Sequence, residues 1–391
     1  VTFGDGILGA ALSTGNIVTL SYVVTNAEES NGASLFSLSG NIGGFTDVSI
    51  STATNSANGA QPETPDSIRF NAPRQYSAQN RAVTPNDYKS RVKTIYANAK
   101  SVSVWGGEDN DTPFYGRVYI SIKPVAGATL TEAKKTDIIN QLKEFNVASI
   151  TPIIQDPETT SVQLNVSVKY DAKSTTKTAD SIKALVTSAI TDFNTNNLQE
   201  FDSIFRHSKF IETINKVDNS VLSNITTVKL HKSFTAVTTG STTYTVGFNN
   251  ALYNPHSGHN ASGGGILTSS GFKISGDATN EYFLDEDGAG NVRLYYLVGT
   301  TRTYSNSSQG TINYATGVVT INSLNVTSVS NVDGATSTAI RLTVIPSSVD
   351  VIPVRNQVLE IDEANTTVSV SADTYDTTSG IGYTSATSYA S

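Results

Sequence analysis

The clearest pattern in the chain is SVQLNVSVK, where Val162, Leu164, Val166 and Val168 alternate with Ser161, Gln163, Asn165, Ser167 and Lys169. A period of two predicts a strand with one buried and one wet face. RVYISIK repeats it, with Val118, Ile120 and Ile122 against Arg117, Tyr119, Ser121 and Lys123, and SVSVW before it is also strand-like. Around these strands the period becomes that of a helix. In TPNDYKSRVKTIYANAK, Tyr88, Val92, Ile95, Tyr96 and Ala99 form one apolar stripe. Thr84 stands where an N-cap is expected, Pro85 at the first helical position and Asp87 in the first turn, all of which favour a helix start.

A second helix is predicted from about Thr131 to Phe145, with Ile138, Leu142 and Phe145 on one side. A third from about Thr178 carries Ile182, Leu185, Val186, Ala189, Ile190 and Phe193. A fourth from Asp202 carries Phe205, Ile211 and Ile214, and TTVKLH closes this block as a strand. Nearer the start, NIVTLSYVVT from Asn16 to Thr25 reads as a strand, with weaker candidates at SLFSLS and FTDVSIST. From about Ser233 to Ser347 helical periods vanish, Ser, Thr, Asn and Gly dominate, and runs such as VRLYYLV, GVVTIN and AIRLTVI are separated by turn clusters. VDVIPVRNQVLEID then regains strand character, and the last 25 or so residues are poor in large aliphatics, which predicts a loosely held tail.

These patterns predict an α+β protein: an α+β sandwich core, a β-rich N-terminal segment and an inserted or appended all-β domain. The expected divisions are 1–62, β-rich and part of a truncated domain; 63–232, the α+β core; 233–347, all-β; and 348–391, a strand returning to the core followed by the tail. At 391 residues the chain is long enough for two or three cores. No cysteine is present, which excludes disulfides, a thiolate nucleophile and Cys-ligated metals. A net charge of -8 argues against nucleic acid as a partner, since holding phosphates needs clustered Lys and Arg. No apolar run approaches a membrane span and no signal-peptide layout opens the chain, so a soluble protein without a membrane partner is expected. The chain starts at Val1 and holds no methionine, so it is expected to be a fragment.

Candidate chemistry is sparse. FGDGILG sets Gly4, Gly6 and Gly9 in the spacing G-x-G-x-x-G, the dinucleotide fingerprint when a strand precedes it and a helix runs through it. Here Ser13, Thr14 and Gly15 lead into a predicted strand, and no βαβ unit separates the glycines from Glu28 and Glu29, so a shaped loop is the favoured reading. HSGH brings His256 and His259 close in a glycine-rich loop, but zinc needs a further ligand, and two exposed loop histidines are expected. DEDGAGN places Asp285, Asp287 and Gly290 as in a calcium loop, yet Ala289 replaces a ligand and Tyr296 stands where the bidentate Glu is required. It reads as a turn. The run Glu108 to Asp111 reads as a solvated loop rather than a catalytic carboxylate pair, and the sequon at Asn224 follows from composition. No cofactor, metal site or catalytic set is expected, and the protein is read as no enzyme.

Several segments resemble one known family. FGDGILG followed by GNIVTLSYVVTNAEESNGAS is similar to the F-G-D-G-x-x-G block of the J-like baseplate proteins of contractile-tailed phages. APRQYSAQNRAVTPNDYKSRV is similar to that family's A-P…R-A-V-T-x-x-D-Y signature, with Arg81, Ala82, Val83, Thr84, Asp87 and Tyr88 at matching positions, beside Gly4, Asp5 and Gly6 in the first block. VWGGEDND, GRVYISIKP and IPVRNQVLEI continue the resemblance in order, over most of 1–232 and 348–362. Length and composition look like a baseplate wedge protein of T4-like phages lacking its N-terminal part. The resemblance implies a structural virion subunit, assembled in the host cytoplasm. It would self-associate into dimers that form a ring around the tail tube, bind other wedge proteins and rearrange on sheath contraction. The alternative is a receptor- or carbohydrate-binding tail protein, with Tyr244, Tyr253, Tyr295, Tyr296 and Tyr304 as stacking surfaces. The signature residues also have a purely structural reading: Thr84 and Asp87 capping a helix, with Tyr88 packed beneath.

Overall fold

The computed structural model describes residues 64–373, apart from 78–80, 111, 148 and 260–264, together with part of 1–63. Two hydrophobic cores organise the described chain. The first is built by α2 (Pro85–Ile95), β1 (Ala99–Gly106), β2 (Arg117–Pro124), α3 (Glu132–Leu142) and β3 (Thr151–Gln155), preceded by α1 (Pro65–Ser77). β1 pairs antiparallel with β2, setting Val104 opposite Ile120 and Val102 opposite Ile122. β3 lies parallel to β2 on the other side, so α3 serves as a crossover helix. Val102, Val104, Ile120 and Ile122 pack with Tyr88 and Val92 of α2 and with Ile138 and Leu142 of α3.

The second core begins with β4 (Glu158–Tyr170), α4 (Ala179–Asn197), α5 (His207–Asn215) and β5 (Val221–Thr235). It continues through β6 (Thr242–Gly247), β7 (Leu267–Ser269), β8 (Phe272–Ile274), β9 (Asp277–Glu286), β10 (Asn291–Val298), β11 (Thr301–Asn313), β12 (Val318–Leu324) and β13 (Val326–Val329). β14 (Ala339–Val344), β15 (Gln357–Ile361) and β16 (Thr367–Ala372) complete it. One sheet runs β15-β4-β5-β14-β7, with β16 also parallel to β4 beyond β15; the other runs β13-β8-β9-β10-β11-β12-β6. The expected alternation in β4 is realised, with Val162 opposite Leu230 and Leu164 opposite Val228 of β5 on the buried face. Ile182, Val186, Ile190 and Phe193 of α4 and Phe210 and Ile214 of α5 share that core, each large side chain contributing about 1.5–3 kcal/mol. Phe193 and Phe210 meet edge to face at 5.3 Å.

The predicted helices form, with Thr84, Thr131 and Thr178 each accepting a backbone hydrogen bond as N-cap. The fourth helix begins at His207 rather than Asp202, because Asp202 is left-handed (φ +64°) and Phe205 is held extended against Val351. α1 was not legible: it contains Pro73 and no apolar stripe, and its described side chains are exposed.

The segment 63–232 feeds two cores, and β5 runs through position 233 without a break. β14 and β7 pair in the same sheet as β4 and β5, and one apolar cluster spans residues 162–361. A strand continuing past the point where helical periods end carries the second half into the first half's sheet. Among the described residues of 1–63 no strand forms, and only an isolated bridge joins Ile42 and Phe45. The strand candidates at 16–25 and FTDVSIST lie in part outside the described residues; Val24 and Leu35 are exposed. The expected tail is a strand over Thr367–Ala372, where Val368 and Val370 pack against the core; later residues lie outside those described.

Candidate assembly surface

The signature segment enters the first core as a brace. The Ala82 N–H donates to the Phe145 carbonyl at 2.8 Å, tying the segment to the turn after α3. Thr84 and Asp87 form a reciprocal capping box: the Asp87 N–H donates to Thr84 Oγ1 at 3.3 Å, and the Thr84 N–H donates to Asp87 Oδ2 at 2.8 Å. Burial pushes the Asp87 carboxyl upward, but the backbone N–H groups of Thr84 and Val83, the Thr84 hydroxyl and the Arg91 charge together hold the group below its ordinary value. Tyr88 is buried in the core, its hydroxyl raised by desolvation and by the Asp87 charge beside it. The Arg91 guanidinium covers the Phe145 ring at 4.5 Å. Arg81 is exposed at the start of this brace. Gly4 and Gly6 are exposed, Gly6 left-handed at φ +85°; Asp5 and Gly9 lie outside the described residues.

The loop between β1 and β2 forms a tip. Trp105 stacks on Tyr119 at 5.8 Å and its Nε1 donates to Asn110 at 2.9 Å, fixing the loop base. The Phe114 N–H donates to the Gly107 carbonyl at 2.9 Å, and a Cβ on Gly107 would stand 2.0 Å from the Phe114 carbonyl oxygen, so only glycine fits. Beyond this clamp Phe114 is 45% exposed and Tyr115 82% exposed, with Arg117 over the Phe114 ring at 5.0 Å. Exposed Val147 belongs to the α3–β3 loop, whose Ser149 carbonyl approaches Gly116. Glu108 and Asp109 are solvated on this loop and Asp111 lies outside the described residues. β1 and β3 are the edges of the three-stranded sheet.

The two cores meet around the turn after α4. Lys89 pairs with Asp202 at 3.4 Å, Lys100 donates to Gln199 at 3.3 Å, and the Phe201 N–H donates to Ser101 at 3.1 Å.

The remaining sequence candidates separate in space. Asp287 makes a closed turn, accepting from the N–H groups of Ala289 and Asn291 at 2.8 and 3.0 Å, so its carboxylate is committed to the backbone. Asp285 is fully buried and belongs to a different group: it takes Arg293 in two bonds at 2.9 and 3.1 Å, Arg302 at 2.7 Å and the Tyr304 hydroxyl at 2.9 Å. Sequence reading missed this cluster; its signal was the period-two placement of Asp285, Arg293, Tyr295, Arg302 and Tyr304 on adjoining strands. Tyr295 and Tyr304 lie 5.8 Å apart there, and Phe283 stacks 5.7 Å from Tyr295. Tyr244 is in the core, Tyr296 packs against it, and Tyr253 is exposed beside His259. Asn224 is held by the Ile211 carbonyl and Asn215. Among the described residues no group of three or more His, Asp or Glu could hold a metal ion, and no helix is long and apolar enough to cross a membrane.

Comparison with known proteins attaches to the same segments. The family model described as baseplate structural protein gp6, C-terminal domain I, matches residues 84–155, which hold α2 through β3. The model for C-terminal domain III of the same protein matches residues 158–233, from the first residue of β4 into β5. Baseplate wedge protein gp6 of Enterobacteria phage T4 is 27% identical over 220 residues, covering 54% of this chain and 33% of that protein. The chain therefore spans about a third of that relative's length. A chain of the anti-feeding prophage (AFP) baseplate, solved by cryo-EM and six-fold symmetrised, is similar at a TM-score of 0.34 and 13% identity, over 44% of this chain and 39% of that one. Residues 84–233 are thus similar, in order, to two adjacent C-terminal domains of the baseplate structural protein gp6.

Proposed function

We propose that the protein is a structural subunit of a contractile tail baseplate wedge in the virion, assembled in the host cytoplasm. It self-associates into dimers that build a ring around the tail tube and rearrange when the sheath contracts, and it binds neighbouring wedge proteins. The match of two adjacent gp6 domains to residues 84–155 and 158–233 carries this reading. The described surface supports it: an exposed aromatic tip at Phe114 and Tyr115 and sheet edges at β1 and β3 suit contacts between subunits. Closed rings require patches that are self-complementary or repeated head to tail. The role is mechanical, so no reaction is assigned. Sedimentation velocity over a wide concentration range tests it: a reversible dimer or larger species is expected, and a strict monomer at high concentration would remove self-association by this chain.

A second reading has one observation of its own. Phe283, Tyr295 and Tyr304 form an aromatic row across β9–β11 in which Tyr295 is buried, Phe283 half-buried and Tyr304 exposed, so Tyr304 is the member of the row open to a sugar ring. Screening the whole chain on a glycan array tests it, and silence there favours a structural role for this sheet.

A further inference from the structure

We propose that the turn at residues 256–259 is an exposed two-histidine chelate for a late first-row divalent ion such as zinc or nickel. His259 Nδ1 and His256 Nε2 lie 3.3 Å apart, with the ring planes at 83°. Two imidazole nitrogens bound to one tetrahedral zinc at about 2.05 Å stand about 3.3 Å from each other. The separation matches co-ligands of one ion and is long for a hydrogen bond.

The turn is built to hold this spacing. The His259 N–H donates to the His256 carbonyl at 3.1 Å, and Gly258 takes φ +76° at the third turn position, where glycine is favoured. The Gly258 N–H and the Asn254 side chain both donate to the Gly288 carbonyl, at 3.0 and 3.1 Å, anchoring the turn on the β9–β10 hairpin. The Tyr253 ring meets the His259 ring edge to face at 5.6 Å and limits its rotation.

The proton positions also suit a metal. His256 Nδ1 lies 3.3 Å from the Ser257 carbonyl, which only accepts, so the proton sits on Nδ1 and Nε2 keeps its lone pair. A carbonyl on the far nitrogen is the usual way a ligating imidazole is oriented. His259, an exposed residue, has only to move its proton from Nδ1 to Nε2 to offer the second lone pair. Two neutral nitrogen donors without carboxylates favour zinc, nickel and copper over calcium or magnesium. The chain's other two histidines are engaged elsewhere, His207 with the Thr226 carbonyl and His231 with Asp362. Water or a group from another molecule would fill the remaining coordination positions.

Calorimetric titration of the whole chain with nickel chloride and with zinc chloride tests the site, with the four histidine ring signals followed by NMR. Saturable binding that perturbs only the His256 and His259 signals is expected. His256→Ala and His259→Ala should each weaken it at least about 100-fold, the gain that joining two weak ligands supplies, while His207→Ala leaves it unchanged. Both substitutions are at exposed positions, and unchanged thermal melts would show that the fold persists. Absence of saturable binding, or full affinity in either single variant, would overturn the assignment.

Discussion

Asp285 and Arg293 face each other across β9 and β10 with two hydrogen bonds, at 2.9 and 3.1 Å, and Asp285 has no exposed surface at all. Burying a carboxylate is costly unless it is paired and hydrogen-bonded, and here two guanidiniums and a tyrosine hydroxyl bond it. Removing one partner leaves the other charged and dry. Arg293→Ala is expected to cost about 3–5 kcal/mol in urea unfolding. Arg302→Ala, whose side chain is partly exposed, should cost clearly less. Equal costs would contradict the view that burial sets the penalty.

The capping box at the start of α2 makes a smaller, separable contribution. Thr84→Ala and Asp87→Ala should each lower stability by about 1 kcal/mol. Because each supplies one half of a reciprocal pair, the double variant should cost less than the sum. A double-mutant cycle from chemical denaturation checks this, and strict additivity would mean that the two bonds act independently.

The exposed tip separates assembly from folding. Phe114→Ser with Tyr115→Ser removes two large solvent-facing rings without opening either core, so stability should change by no more than about 0.5 kcal/mol per site. Self-association in sedimentation velocity should weaken. If the dimer persists unchanged, the contact surface lies elsewhere, and the sheet edges become the place to look.

His231 gives a pH signature. Burial lowers its proton affinity, and the Asp362 carboxylate 2.7 Å away only partly restores it. With the folded value below the unfolded value near 6.5, the unfolded chain binds more protons between them. This group's contribution is therefore constant above about 6.5 and is lost as pH falls through the folded value. Denaturation midpoints measured from pH 7.5 to 5 should fall in the native chain and fall less in His231→Gln. A parallel decline in both would assign the acid sensitivity to other groups.

What the sequence determined is whatever local periodicity and end signals can express. The stripe from Tyr88 to Val92, the threonine caps and the alternation from Val162 to Val168 specify α2 and β4 whatever lies around them, because neighbours along the chain supply the reasons. The signature segment could likewise be read as a helix cap with a buried tyrosine. Tertiary structure decided the rest. α5 starts at His207 because Asp350, 143 residues later, accepts from its backbone N–H at 2.9 Å and binds Arg206 at 2.8 Å, a cap that no local pattern announces. β14 lies against β5 and shares its apolar cluster although more than a hundred residues separate them in sequence, since strand pairing is satisfied across any sequence distance. The bonds of Asp285 likewise come from arginines on β10 and β11, which only the folded sheet brings within reach.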